Sequence, residues 1–210
     1  TIQSRGLGDV YKRQVLCRHQ NSDKSDEFWN SLLTSKNNEL PRTTIDQDSD
    51  FAVMYTSGST GHPKGVVMTH RGAISTLMSW HFGLRVLDVM GLGPVPYVDK
   101  NNQPYQPCQL VSVPFFHVSG THGGLLLALW SGTKLVIMKK WDPPEAVRLI
   151  ELEKVSRFGG VPTMAAEILG EAKKVGAKLE SIRLIDTGGA ARPADQAREM
   201  AESIPNVLTG

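Results

Sequence analysis

Cysteine is nearly missing from this 210-residue chain: Cys17 and Cys108 are its only two. Two thiols cannot make a disulfide framework, and neither has metal-ligand spacing to a partner, so a secreted disulfide scaffold and a zinc module are both excluded. A reducing, cytoplasmic setting is the expectation. Long apolar runs are missing as well. Leu125–Trp130 is the longest in the middle of the chain, far below the roughly 20 residues of a membrane-spanning helix, and no secretory-type apolar core stands among the first residues. Charge of one sign is also lacking, with 23 Lys and Arg against 21 Asp and Glu. Nothing in that balance points to nucleic acid or to an anionic membrane. Even the small surplus has a local origin. Residues 9–14, DVYKRQ, read as a translated transposon sequencing adapter, so residues 1–14 are expected to be non-native; they carry Arg5, Lys12, Arg13 and Asp9, which together account for the whole net charge of +2.

What is present is ordinary globular composition, 40% apolar and 21% charged, in a chain long enough to bury a real core. Residues 15–46 form a polar lead-in with one short apolar-faced candidate helix in NSDKSDEFWNSLL and a linker in PRTTIDQDSD. Residues 47–210 carry the organised pattern. FAVMY (51–55) reads as a buried strand, and RGAISTLMSWHFG as a helix with Ile74, Leu77, Met78 and His81 on one face. Residues 85–107, rich in Pro, Gly, Asn and Gln, read as a long surface loop. CQLVSVPFF, TKLVIMKK, RFGGVPT, SIRLIDTGGA and NVLTG read as strands, with HVSGTHGG as an exit loop and LLLALWSG as a short buried helix. WDPPEAVRLIELEK has complete helix-start signals: Asp142 as cap, Pro143 in the first turn and Glu145 three residues after the cap. MAAEILGEAKKVG is a helix ended by Gly176, and Pro193 opens another carrying Ala197, Met200, Ala201 and Ile204. Strands alternating with amphipathic helices give an α/β fold with a largely parallel sheet. Glycine loops after Tyr55, Phe116 and Ile185 are expected at its carboxyl edge, where such sheets bind ligands.

The most informative stretch is YTSGSTGHPKGVVMTH (55–70). Thr56, Ser57, Gly58, Ser59, Thr60 and Gly61 offer consecutive backbone N–H groups with little bulk and four hydroxyls, and Lys64 adds a cation. That inventory suits an oligophosphate. It is not a Walker A loop, because Pro63 and Gly65 stand where that motif needs Gly before the lysine and Ser or Thr after it. A plain glycine-serine turn is the competing structural explanation, but such a turn has no need of three threonines, two serines and a lysine. Elsewhere, His117 and His122 are five apart with no carboxylate or third ligand near in sequence, so no metal site is read. Cys108, within a strand, reads as a small buried hydrophobe.

This stretch resembles the phosphate-loop signature of the adenylate-forming superfamily, which includes acyl-CoA synthetases, peptide-synthetase adenylation domains and luciferases. PFFHVSG (114–120), GGVPTM (159–164) and TGGA (187–190) resemble further motifs of that family, Thr187 standing where Ser is usual. NVLTG stands where the family continues into Tyr-Gly-x-Thr-Glu. The chain is most similar to fatty-acyl-CoA synthetases of the AMP-forming type, over residues from about 46 to 210.

The resemblance implies part of an AMP-binding domain and a two-step ligase reaction. A carboxylate attacks the α-phosphorus of ATP and expels pyrophosphate; a thiol, usually coenzyme A, then displaces AMP. It assigns Thr56, Ser57, Gly58, Ser59, Thr60, Gly61 and Lys64 to the β- and γ-phosphates, and Gly188, Gly189 and Ala190 to the adenine side. His117, with a catalytic role beside Lys64, and Pro162 and Thr163 fall to the acyl pocket. Magnesium is implied too, with its ligand acid outside these 210 residues, as are the ribose-binding Asp and the adenylation lysine. The partners the resemblance implies are a carboxylic acid of the fatty-acid class, ATP and coenzyme A. The expectation is therefore a truncated piece, inactive by itself. A peptide-synthetase domain, an aryl-acid ligase and a non-catalytic nucleotide-binding module stay open as alternatives.

Overall fold

Local signals set most of the elements, and burial sets how they face. The computed structural model describes residues 15–16, 43–56, 62–191, 193–204 and 207–209. In chain order these form β1 (Val15–Leu16), β2 (Asp50–Thr56), β3 (Lys64–Thr69), α1 (His70–Val89) and β4 (Cys108–Val111). There follow a wide π-helical segment (Ser119–Leu126) continuing into α2 (Leu127–Ser131), then β5 (Lys134–Ile137), α3 (Pro143–Glu153) and β6 (Arg157–Gly160). Finally come α4 (Pro162–Val175), β7 (Leu184–Thr187), α5 (Ala194–Ser203) and β8 (Leu208–Thr209). The candidate helix in NSDKSDEFWNSLL lies outside the described residues.

Six strands make one parallel sheet in the order β1-β5-β4-β6-β7-β8, as the alternation of strands and helices requires. The capping signals act where they stand. Asp142 Oδ1 accepts from the Glu145 N–H at 2.9 Å at the start of α3, and Gly176, at φ 69°, ends α4.

Side chains alternate across a strand, so the register decides what each face carries. Leu110, Phe158 and Ile185 are mutual partners across β4, β6 and β7. All three are buried, and they join α3, α4 and α5 in the main core through Ile150, Ile168 and Met200. The intervening positions form the opposite face: Gln109 opposite Arg157, and Gly159 between Val111 and Asp186. That second face is the one covered by α1 and the π segment.

Four expectations change. FAVMY is a strand, but it pairs antiparallel with β3 in a separate two-stranded ribbon, and Val53 and Tyr55 are 51% and 71% exposed. The glycine loop therefore joins two strands of a ribbon instead of leaving the parallel sheet; apolar content alone does not tell a ribbon strand from a central one. In α1 the buried residues are Ala73 and Leu77, followed by Trp80, Leu84 and Leu87 on a cleft, while Ile74 and Met78 stay exposed. Both sides of that helix are apolar, so packing against the π segment selects the stripe. α1 also runs to Val89, into the stretch read as loop, and the remainder closes a small hairpin through a Val98–Pro104 bridge with Tyr97 and Tyr105 stacked at 5.1 Å. Lastly, β4 stops at Val111, and SGTHGGLL, read mainly as loop, is helical. Its glycines are there for close packing: a Cβ on Gly120 would meet the Pro114 carbonyl oxygen at 2.1 Å.

Candidate active site

The amphiphilic second face of the sheet and α1 enclose a cleft of about 740 Å³. α1 supplies an apolar wall of Trp80, Leu84 and Leu87, with Gly83 between them, and the π segment and its entry supply Val118, Ser119 and Gly123. The sheet contributes Gln109 and Val111 from β4, Arg157 and Gly159 from β6, and Asp186 and Thr187 from β7. Gly160, Val161, Gly188 and Gly189 form the rim at the carboxyl ends of β6 and β7, the edge at which open parallel sheets bind ligands. The two glycine exits are tied together, the Gly188 N–H donating to the Gly160 carbonyl at 3.0 Å. Gly189 has φ 80°, a conformation that suits glycine.

The sheet side of the cleft is polar. Arg157 Nη2 and Nε both donate to Asp186 Oδ2, at 2.6 and 2.9 Å. Gln109 Nε2 donates to the Gly123 carbonyl at 3.2 Å, which pins the π segment to the sheet. The Thr187 hydroxyl is buried with no hydrogen-bond partner among the described residues. Thr187 opens the TGGA motif, but Gln109, Arg157 and Asp186 are inconspicuous in the sequence. Arg157 and Asp186 are 29 positions apart, and only the register of β6 with β7 brings them together. A charged residue in each of two short apolar strands is the one signal that could have singled them out.

The residues singled out by motif fall into four groups. Gly188 and Gly189 line the cleft, whereas Ala190 is exposed beyond its rim. Thr56 and Lys64 are exposed and opposite one another, as the last residue of β2 and the first of β3; Ser57, Gly58, Ser59, Thr60 and Gly61 lie outside the described residues. His117 is exposed, its ring 4.8 Å from that of Phe116, its N–H donating to the Pro114 carbonyl and its own carbonyl accepting from the Thr121 N–H. The neighbours that reach the cleft from that turn are Val118 and Ser119. Likewise Val161 is on the cleft wall, while Pro162 is buried in the first turn of α4 with its carbonyl accepting from Gln196 Nε2, and Thr163 is exposed. A proline that starts a helix is turned into the helix packing, away from the strand exit before it.

His122, in the π segment, packs against the ribbon. It is 2% exposed, and its ring is 6.1 Å from that of Phe51 in β2. Burial holds its pKa below the ordinary histidine value, which favours the neutral imidazole. Among the described residues there is no cluster of three or more His, Cys, Asp or Glu side chains able to hold a metal. No described helix is long and apolar enough to cross a membrane.

The chain is 27% identical over 182 residues to 4-coumarate-CoA ligase 1 of Narcissus pseudonarcissus, covering 87% of this chain and 31% of that protein. It is 33% identical over 168 residues to 3-methylmercaptopropionyl-CoA ligase of Ruegeria lacuscaerulensis, covering 80% of this chain and 28% of that one. Less than a third of each relative is therefore spanned. Among solved structures, the inhibitor-bound N-terminal domain of FACL13 from Mycobacterium tuberculosis superposes with a TM-score of 0.64 at 26% identity, over 88% of this chain and 42% of that domain. The match to the family model runs over residues 5–210, nearly the full length, and on that ground this chain belongs to the AMP-binding enzyme family.

Proposed function

We propose that this chain is the central part of the ATP-binding domain of an acid–thiol ligase, which activates a carboxylic acid as its acyl-adenylate and passes it to coenzyme A. The observation that carries the reading is the ribbon. Thr56 and Lys64 face each other in antiparallel register, so a lysine stands where the chain enters and leaves the glycine- and hydroxyl-rich stretch of the sequence. Through Phe51 and His122 the ribbon packs on the segment that lines the cleft. A phosphate-binding loop and an organic-acid cleft are then held by one body.

In the first step the acid's carboxylate oxygen attacks the α-phosphorus, the bond to the β-phosphate oxygen breaks, and pyrophosphate leaves. Two anions must approach, so the chief task of the site is electrostatic. The loop N–H groups and hydroxyls and the Lys64 ammonium would hold the β- and γ-phosphates and stabilise the departing pyrophosphate. Gly188 and Gly189, having no side chains, let the adenylate approach the backbone at the cleft rim. In the second step the thiol sulfur attacks the acyl carbon, loses its proton, and AMP departs. A fatty acid is one candidate substrate, and an aryl acid is another, consistent with the name of the Narcissus relative.

The test uses the full-length protein. Lys64→Ala should slow ATP–pyrophosphate exchange about 100-fold, the rate equivalent of roughly 3 kcal/mol for one preorganised donor. Thioester formation from supplied acyl-adenylate should change only a few-fold. Equal slowing of both half-reactions would overturn the assignment of Lys64 to the phosphates.

A further inference from the structure

We propose that Gly83 sets the size of acid the cleft accepts: its missing side chain leaves a gap in the α1 wall, and the end of the acid remote from the carboxylate extends through it. The inference rests on the ligase reading for the claim that an acid occupies the cleft.

Gly83 stands in the interior of α1, four residues after Ser79, and both line the cleft. Glycine inside a helix is less stable than alanine there, because it loses more backbone freedom on folding. Two structural reasons for keeping it are absent. The backbone does not require it, since the glycines at positive φ among the described residues are Gly91, Gly132, Gly176 and Gly189. Close packing does not require it either: an ideal Cβ on Gly83 would meet no neighbouring heavy atom within 4 Å among the described residues. Propensity alone does not single the position out, however. Gly170 is likewise exposed, inside α4, with nothing within 4 Å of its ideal Cβ. The difference is place, because Gly170 is not on the cleft.

Around Gly83 the surface is that of an opening with apolar shoulders. Trp80, Leu84 and Leu87 form the cleft wall on one side of it. Phe82 and Val86, 70% and 38% exposed, flank it on the other. A helical side chain covers the turn N-terminal to its own Cα, so any side chain at position 83 would lean over Ser79. The Ser79 hydroxyl donates to the Ser75 carbonyl at 2.8 Å and is thereby folded back on its own helix. Two successive turns of α1 thus put little bulk and no free hydroxyl between the cleft and solvent. An alkyl chain, or an alkyl group on a ring, fits that opening, whereas a charged tail finds no partner in it.

The experiment compares two matched pairs of acids on the full-length protein: hexanoate against dodecanoate, and 3-phenylpropanoate against 3-(4-butylphenyl)propanoate. Calorimetric affinity and ATP-dependent pyrophosphate release are read for each. In the wild type the longer member should do at least as well as the shorter in one pair or both. Gly83→Leu should lower that long-to-short ratio tenfold or more, in affinity and in kcat/KM, since even one displaced methylene in an apolar pocket is worth about tenfold. Gly170→Leu, the same change at a matched helix position off the cleft, should leave the ratio within about twofold. Gly83→Ala and Gly170→Ala should both raise the denaturant midpoint. An unchanged ratio in Gly83→Leu, an equal change in Gly170→Leu, or a wild-type preference for the shorter acid in both pairs would overturn the proposal. A lowered midpoint in Gly83→Ala, or a Gly83→Leu protein that does not fold, would also overturn it, by showing that polypeptide and not ligand fills the gap. Binding whose size limit shifts in Gly83→Leu without any pyrophosphate release would sink the ligase reading and leave this one standing; pyrophosphate release indifferent to the substitution would do the reverse.

Discussion

On the proposed ligase reading, replacing Gly120 with alanine should damage the acid side of the site and spare the nucleotide side. An ideal Cβ at that position would lie 2.1 Å from the Pro114 carbonyl oxygen, 2.7 Å from the Pro114 carbonyl carbon and 3.0 Å from the Val113 oxygen. Real Cβ atoms essentially never come nearer than 3.0 Å, so the Pro114 carbonyl must retreat by close to 1 Å. All three obstacles are backbone, and no rotamer change relieves them. The turn that has to move is closed by His117 N–H to the Pro114 carbonyl, Thr121 N–H to the His117 carbonyl and the Thr121 hydroxyl to the Phe115 carbonyl. Strain of overpacking plus one weakened hydrogen bond comes to about 2–4 kcal/mol of stability. Val118 and Ser119 ride on the same turn and line the cleft. A displacement on the scale of 1 Å in a positioning wall costs up to about 100-fold in kcat/KM for the acid. Gly124→Ala is the control. Its nearest neighbours are Val111 methyls at 3.4 and 3.5 Å, ordinary contact, so stability should change by less than about 1 kcal/mol, with alanine's better helix propensity in its favour. Urea unfolding and separate KM values for acid and ATP on the full-length protein make the comparison. Wild-type stability and wild-type acid kinetics in Gly120→Ala would refute the packing argument.

Two further outcomes follow from the core. Phe158 is fully buried at the centre of the sheet, with the Trp141 ring 5.7 Å away, so Phe158→Ala should cost about 3–5 kcal/mol, read as a lower denaturant midpoint at unchanged m-value; a loss below 1 kcal/mol would contradict that burial. Burial also pushes the Cys108 thiol up to about 12 from 9.0, against the nearby Lys134 charge that pulls it down. Folded protein should therefore resist alkylation at Cys108 at pH 8, and rapid labelling there under native conditions would count against this placement. Because the folded value is the raised one, the unfolded chain gives up its proton first as pH climbs past 9; the stability this thiol contributes is complete below that point and declines toward pH 12, by at most about 1.4 kcal/mol per pH unit.

Much of the chain could be read without coordinates, for reasons that differ by element. The start of α3 and the end of α4 were legible because caps act within four residues of themselves: Asp142 on Glu145, and Gly176 through its own φ. The parallel sheet was legible because its strands are short apolar runs separated by helices. The ribbon was not, since Val66 and Val67 in β3 look as apolar as any central strand yet are 49% and 55% exposed. The π segment was hidden by its own glycines, which imitate a loop when their packing partners, Pro114 and Val111, are out of view.

What the sequence by itself determined was most of the elements of the parallel sheet and the class of fold, because caps, turns and short apolar runs depend on residues adjacent in the chain. Only the tertiary structure decided which stripe of α1 faces inward, that Val161 reaches the cleft and Pro162 does not, and that Arg157 meets Asp186. The reason is one of range. Capping and turn chemistry act over a few bonds, whereas a charge in a strand acquires its meaning from the register of the strand beside it, and register is set by the burial of Leu110, Phe158 and Ile185 on the opposite face.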